Sequence, residues 1–451
     1  VESPRASDRA IEALGAWCFR AFLCAQFLSL TRLYFTNHLG GPVAFVASQA
    51  GLLSVALLAP AVLVYGLSAG DPFVRLVPAA RLWCVGVTIL AVALFFYGWL
   101  GKGYMLPAVI HDLAPYLVVV ACAALGSSPR AWRDADATIV VLFLAALLVN
   151  ALGMREITSV ISESYAEDRA GVGIVAYRTQ GALAFWPLLL LTARLRRPRT
   201  ALLVFAGVFF VLAQQILFQK RAPTLRVTLF VVVFLMVLPH VCAAASRPSE
   251  GRTVRLFIAS GALALAGALT LAPWLFEGQL MGLAHRLSGQ AYGHGAVGML
   301  STQNERFFEA GVFLEDLEPD EWVIGKGFGG YFKPGPSWWG IWLDDVGEFG
   351  RRQLHVGGLM PLFKGGLLLA VLYYGGLAHA LVRGARAVRE PLAAAAFFVL
   401  LIHALFLLQE SWFVMSESFD LAMVGLCMGH LLSRDRKGSA GGAPQAVRVL
   451  P

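Results

Sequence analysis

The sequence predicts an all-α polytopic membrane protein of about twelve transmembrane helices with one large loop outside the bilayer. Three observations lead there. Hydrophobic residues make up 58% of the 451-residue chain and charged residues 14%, where a soluble domain carries roughly 25% charge; mean hydropathy is +0.68. Apolar runs near the length that a helix needs to cross hydrocarbon recur along the chain. Positive charge falls unevenly on alternate connections between them.

The runs centre on residues 13–33, 43–67, 82–100, 106–126, 137–154, 180–194, 201–218, 225–245, 254–275, 357–382, 391–409 and 419–433. The sixth and twelfth are short. With the N-terminus inside, the inner connections hold twenty lysines and arginines and the short outer ones seven. Lysine and arginine accumulate on the cytoplasmic side, so both termini are expected inside and residues 276–356 outside. The same topogenic residues account for most of the net charge of +8, and no nucleic-acid partner is expected.

The organisation that follows is helices one to nine in 1–275, a large outer loop in 276–356, helices ten to twelve in 357–433, and a Gly-, Ala- and Pro-containing disordered inner tail in 434–451. No cleavable signal peptide is expected, because the first apolar run follows Arg5 and Arg9 and leads into a chain that keeps re-entering the membrane. The six cysteines all fall inside apolar runs without metal-ligand spacing. They are expected to be small buried hydrophobes rather than disulfides or zinc ligands, and neither a metal nor a cofactor is expected.

Ionisable groups inside the membrane are functional suspects, because charge at the bilayer centre costs roughly 2.5 to 3.5 kcal/mol. His111 and Asp112 sit together near the outer end of the fourth span, where a hydrogen-bonded structural pair and a catalytic pair are both open readings. Arg20 and Lys364 are read as snorkelling toward an interface, and His240, His379 and His430 as interfacial histidines. Between the seventh and eighth spans, Lys220, Arg221 and Arg226 gather at the outer mouth. Topology disfavours cations there, so this cluster suggests an anion site.

The outer loop holds most of the polar chemistry. An amphipathic helix is expected around Arg306, Phe307, Ala310 and Phe313, followed by a turn at Pro319 and a glycine-rich stretch. Gly325, Gly327, Gly329 and Gly330 lack P-loop spacing, and are expected to make tight turns that bring backbone close to a ligand. Trp338, Trp339 and Trp342 suit membrane anchoring or stacking on sugar rings. Arg351 and Arg352 precede His355 just before the tenth span; neighbouring positive charge favours a neutral imidazole, which a general base requires.

Three of these pieces, in this order, resemble the O-antigen ligase and O-antigen polymerase family of bacterial surface-polysaccharide enzymes. They are Arg306 with an aromatic helix and then VIGKGFGGY; His355 followed by KGGLLLAVLYY; and Arg221 at an outer helix junction. Where many ligases have asparagine after the histidine this chain has Val356, and Lys220 and Ala222 replace the usual small residues around the arginine. The resemblance covers roughly the fifth to the tenth span and leaves ligase and polymerase both open.

The resemblance implies a C-type glycosyltransferase-like fold in the bacterial inner membrane, multi-pass, with its site facing the periplasm. The reaction it implies is metal-independent transfer of a glycan from undecaprenyl pyrophosphate to a sugar hydroxyl, with inversion. The acceptor would be lipid A-core or another glycan repeat unit, and both substrates would keep their tails in the phospholipid bilayer. His355 is the candidate base. Arg306 and Arg221 are the candidate pyrophosphate clamps, since guanidinium binds phosphate oxygens bidentately. Arg178, Lys220, Arg226, Arg352, Trp338 and Trp339 are further candidates for binding substrate. The alternative is a twelve-helix membrane transporter or a lipid-glycan flippase, although a transporter of two matched halves would not place its long segment outside after the ninth span.

Overall fold

The computed structural model describes residues 6–38, 41–68, 72–129, scattered positions within 131–148, and 309–332, 354, 356–388, 390–407 and 418–433. Regular structure among these residues is helical. Helix α1 (Ala6–His38) and α2 (Gly41–Ser68) form a hairpin, tied across its buried face where Gln26 donates to Ser54 at 2.6 Å. A short turn, α3 (Pro72–Arg75), leads to α4 (Pro78–Phe96), which runs on through a π-helical turn, Tyr97–Gly101. Helix α5 spans Leu106–Gly126. Both α4 and α5 start with a proline in the first turn, where its missing N–H has no helical partner to lose.

After the undescribed middle of the chain come α6 (309–315) and α7 (Glu321–Ile324), both within the expected outer loop. Then follow a 3-10 turn (Gly357–Leu359) and helices α8 (Met360–Ala385), α9 (Pro391–Phe406) and α10 (Ser418–Leu431). Pro78–Gly101, Leu106–Gly126 and Gly357–Ala385 are long and apolar enough to cross a membrane, and shorter apolar stretches lie in α1, α2, α9 and α10. The chain is therefore a helical membrane protein. Seven of the expected spans coincide with α1, α2, α4, α5, α8, α9 and α10; most of those from 137 to 275 lie outside the described residues.

Burial orders the bundle. Over their apolar stretches α5 is 72% buried and α4 only 33%, so α5 runs through the middle and α4 along the edge. On α4, Leu82, Val85, Ile89, Val92 and Phe96 point outward at helical spacing, giving lipid an apolar stripe. Its other face buries Trp83, Val87, Ala91 and Leu94. Trp83 donates to the Leu372 carbonyl of α8 at 2.8 Å, its indole lying against Gly376. Helices α5 and α10 approach closely through small residues: Gly126 faces the Leu426 backbone, and Gly429 faces that of Ala123. In lipid such packing replaces the hydrophobic drive that water would supply.

Hydrogen bonds assign the helix ends to two sides. On one side Val77 N–H donates to Leu432 O at 3.0 Å, Arg81 to Leu76 O at 3.1 Å, and Arg383 to Leu431 O and Ser433 O at 3.1 Å each. This gathers the start of α4 with the ends of α8 and α10. On the other side Tyr104 N–H donates to Gly98 O at 2.9 Å and Gly358 N–H to Leu407 O at 2.6 Å, joining the α4–α5 connection and, separately, the start of α8 to the end of α9. Residues 309–332 pack on this second side.

Two intramembrane expectations change. Lys364 does not snorkel: it is 1% exposed and reaches inward. His111 and Asp112 are not hydrogen-bonded, since Nδ1 and Oδ1 are 3.6 Å apart and the carboxylate is engaged elsewhere. Arg20 is half exposed, with its guanidinium 2.6 Å from the Asp134 carboxylate.

Candidate functional site

Residues 309–332, from the loop expected to lie outside, dock into the helices. Helix α8 begins at Met360 but breaks at Gly365–Gly366, where φ and ψ are −139° and 15°, then 61° and −164°. The second conformation is one that only glycine adopts readily. A break at membrane depth frees backbone groups that hydrocarbon cannot satisfy. Here the loop satisfies one of them, because Lys326 N–H donates to the Phe363 carbonyl at 2.9 Å. A Cβ on Gly366 would overlap the Val323 carbonyl, and one on Gly325 would lie 2.5 Å from Gly365 N. The two backbones are in direct contact. The loop glycine Gly325 thus brings backbone against a helix.

Beneath the break, two charges close on the next turn of the loop. Lys364 Nζ lies 2.8 Å from Asp112 Oδ2 and donates to Gly330 O at 2.6 Å. The same carboxylate oxygen accepts Gly329 N–H at 2.8 Å. Asp112 is 4% exposed. Buried charge is tolerable only when paired and hydrogen-bonded, and both conditions hold. The Lys364 ammonium also sits 4.2 Å from the centroid of the Phe363 ring, a cation–π contact.

Aromatic side chains fill the surrounding space. Phe328 stacks on Tyr116 of α5 at 5.5 Å. Phe313 of α6 and Phe332 of the loop meet Phe363 of α8 edge-on at 5.0 and 5.6 Å. Ala310 and Phe313 are buried as the expected amphipathic pattern requires.

A second charged cluster lies where this segment meets the α4–α5 connection. Lys326 Nζ is 2.8 Å from Glu321 Oε2 and 3.0 Å from Asp316 Oδ2, and it donates to Asp316 O at 3.0 Å. Burial by itself lowers the Lys326 pKa, but the hydrogen bonds and charges of Glu321 and Asp316 outweigh it and the pKa is raised. Lys102 is raised through its interaction with Tyr97, with burial opposing and Glu321 assisting; its Nζ is 3.9 Å from Glu321 Oε1. Tyr104, tilted against Tyr331 at 5.8 Å, is raised by burial. These groups tie the loop to the α4–α5 connection.

His355, Arg306, Arg221, Arg178, Lys220, Arg226, Arg352, Trp338 and Trp339 lie outside the described residues. Their sequence neighbours are described: Glu309, three residues after Arg306, is 2% exposed, and Leu354 and Val356, on either side of His355, are 1% and 8% exposed. Sequence reasoning missed the Asp112–Lys364 pair and the buried Glu309. The available signal was one acid and one base, each within the first turns of its own span. No group of three or more potential metal ligands occurs among the described residues. No protein-family model matches the chain, and no curated protein matches its sequence.

Proposed function

We propose that the protein is an inverting glycosyltransferase of the O-antigen ligase or polymerase type. It moves a glycan from undecaprenyl pyrophosphate to a sugar hydroxyl of lipid A-core or of another repeat unit, at the periplasmic face of the bacterial inner membrane. Twelve spans, cytoplasmic termini and a periplasmic 276–356 belong to the same proposal. His355 accepts the acceptor hydroxyl's proton as its oxygen attacks the anomeric carbon from the face opposite the leaving group. The bond from that carbon to the pyrophosphate oxygen breaks, and the electron pair leaves on undecaprenyl pyrophosphate. Arg306 and Arg221 hold the charge that develops there. The expelled pyrophosphate is a stable anion, so no general acid is needed.

The observation that carries this reading is the docking of 309–332 onto the ends of α5 and α8. The segments adjoining Arg306 and His355 in sequence are packed into the bundle, as a loop with a chemical role requires. The break in α8 bears on the transporter alternative. Broken helices in transporters present free helix ends to a substrate, but here the loop backbone occupies the break. That supports the enzyme.

Deleting the gene and separating the surface polysaccharide on a gel tests the proposal. Loss of every long chain with carrier-linked polymer accumulating identifies a ligase, and a core bearing a single repeat identifies a polymerase. An intact ladder overturns the reading.

A further inference from the structure

The geometry points to Asp112 and Lys364 as positioning residues that set the register of the outer loop by reading the polarity of its backbone. The role in catalysis rests on the transfer reaction proposed above; the reading of register does not. Asp112, on α5, accepts the Gly329 N–H, and Lys364, on α8, donates to the Gly330 carbonyl. The two side chains are also paired with each other at 2.8 Å.

A plain ion pair would tie α5 to α8 and nothing more. This pair in addition presents an acceptor to the N–H of one loop residue and a donor to the carbonyl of the next residue. Sliding the loop by one residue would disrupt both matched backbone bonds in a setting without water. Buried polar groups left unmatched cost on the order of 1–3 kcal/mol each, so one register is selected. Register selection is the best-attested use of buried charge. The seat is shaped as well, because the Val323 carbonyl rests on Gly366 where no larger residue fits. The seated turn lies between Arg306 and His355 in the sequence. Small displacements of reacting groups cost orders of magnitude in rate, so holding this turn in one register serves transfer.

The test uses the full chain in nanodiscs, read by amide hydrogen exchange, with transfer followed in membrane vesicles supplied with lipid-linked donor. Two double variants are compared. Asp112→Leu with Lys364→Met removes both charges, and Asp112→Lys with Lys364→Asp exchanges them. In both, exchange across 321–332 is expected to speed up about 100-fold, with α4 and α5 still protected, and transfer is expected to fall by a similar factor. Unchanged exchange in the neutral variant overturns the proposal. So does wild-type exchange in the swapped variant, because an ion pair survives exchange of its members while a polarity reader does not.

If neither double variant inserts, Lys364→Arg serves, since it keeps the charge and donors on a longer reach. Faster exchange confined to 321–332, with kcat lowered and KM for the donor little changed, is expected, and wild-type behaviour in both overturns the proposal. If exchange behaves as expected but His355→Ala retains full transfer, the glycosyltransferase reading falls while the register device stands.

Discussion

The Lys364 ammonium and the Asp112 carboxylate meet at 2.8 Å, both nearly excluded from solvent, and each also holds a peptide group of the 309–332 segment. Four partners therefore share one desolvated junction where α5, α8 and residues 329–330 come together. Separate perturbation of each partner gives distinct outcomes.

Removing one charge strands the other. Lys364→Met alone is expected to destabilise the protein by about 3–5 kcal/mol, the range for an orphaned buried charge. Adding Asp112→Leu should restore part of that loss, so the double variant is less impaired than the sum of its single changes. Thermal unfolding in detergent measures the cycle, and strict additivity would show that the two groups do not interact.

Glycines of α8 should respond to substitution according to what faces them. Gly366→Ala drives a Cβ into the Val323 carbonyl at φ +61°, and should destabilise by about 2–4 kcal/mol while freeing the loop. Gly375→Ala meets nothing within 4 Å and should be neutral or gain up to about 1 kcal/mol from helix propensity. Equal melting temperatures for the two variants would contradict the docked geometry.

Lys326 supplies a pH test. The pKa of Lys326 is raised in the folded protein by Glu321 and Asp316 against the effect of burial. A raised lysine stabilises fully below its unfolded value of about 10.4 and loses that contribution as pH climbs through the folded value. Lys326→Met should therefore cost about 1–2 kcal/mol at neutral pH, a figure discounted because Asp316 is 37% exposed. The gap from wild type should stay flat from about pH 7 to 9 and narrow only above about 10.4. A gap that changes across the neutral range would mean that another group carries the effect.

Catalysis is tested by substitution of the three nominated residues. His355→Ala should insert normally and lose ligation or chain extension in cells, and unchanged lipopolysaccharide banding would remove the histidine from the mechanism. Arg306→Lys and Arg221→Lys should each lower activity by about 10-fold or more, because an ammonium cannot reproduce the two-pronged grip of guanidinium on phosphate. Full activity in both would rule out the pyrophosphate clamp.

The helices were legible because lipid imposes a length and composition that short apolar runs reveal directly. The run at 82–100 lies within Pro78–Gly101, and that at 106–126 coincides with Leu106–Gly126. The alternation of Ala310 and Phe313 likewise announced a helix with a buried face. The roles of polar residues were less legible. A lysine near a helix end commonly reaches for water, and only the carboxylate arriving from α5 draws Lys364 inward. His111 adjoins Asp112 in sequence and its Nδ1 lies 3.6 Å from Oδ1, while the other carboxylate oxygen is held by Lys364 and Gly329 from distant parts of the chain.

By itself the sequence determined that the chain is a membrane-spanning helical protein and where seven of its helices lie, since hydrocarbon rewards apolar composition over a local window. Tertiary structure alone decided that Gly325 and Gly366 put two backbones in contact, and that Asp112, Lys364, Gly329 and Gly330 form one junction. The physical reason is range. Hydrophobic length is a property of consecutive residues, whereas the partner of a buried charge is whichever group the fold brings within 3 Å, here across separations of 34 and 217 residues.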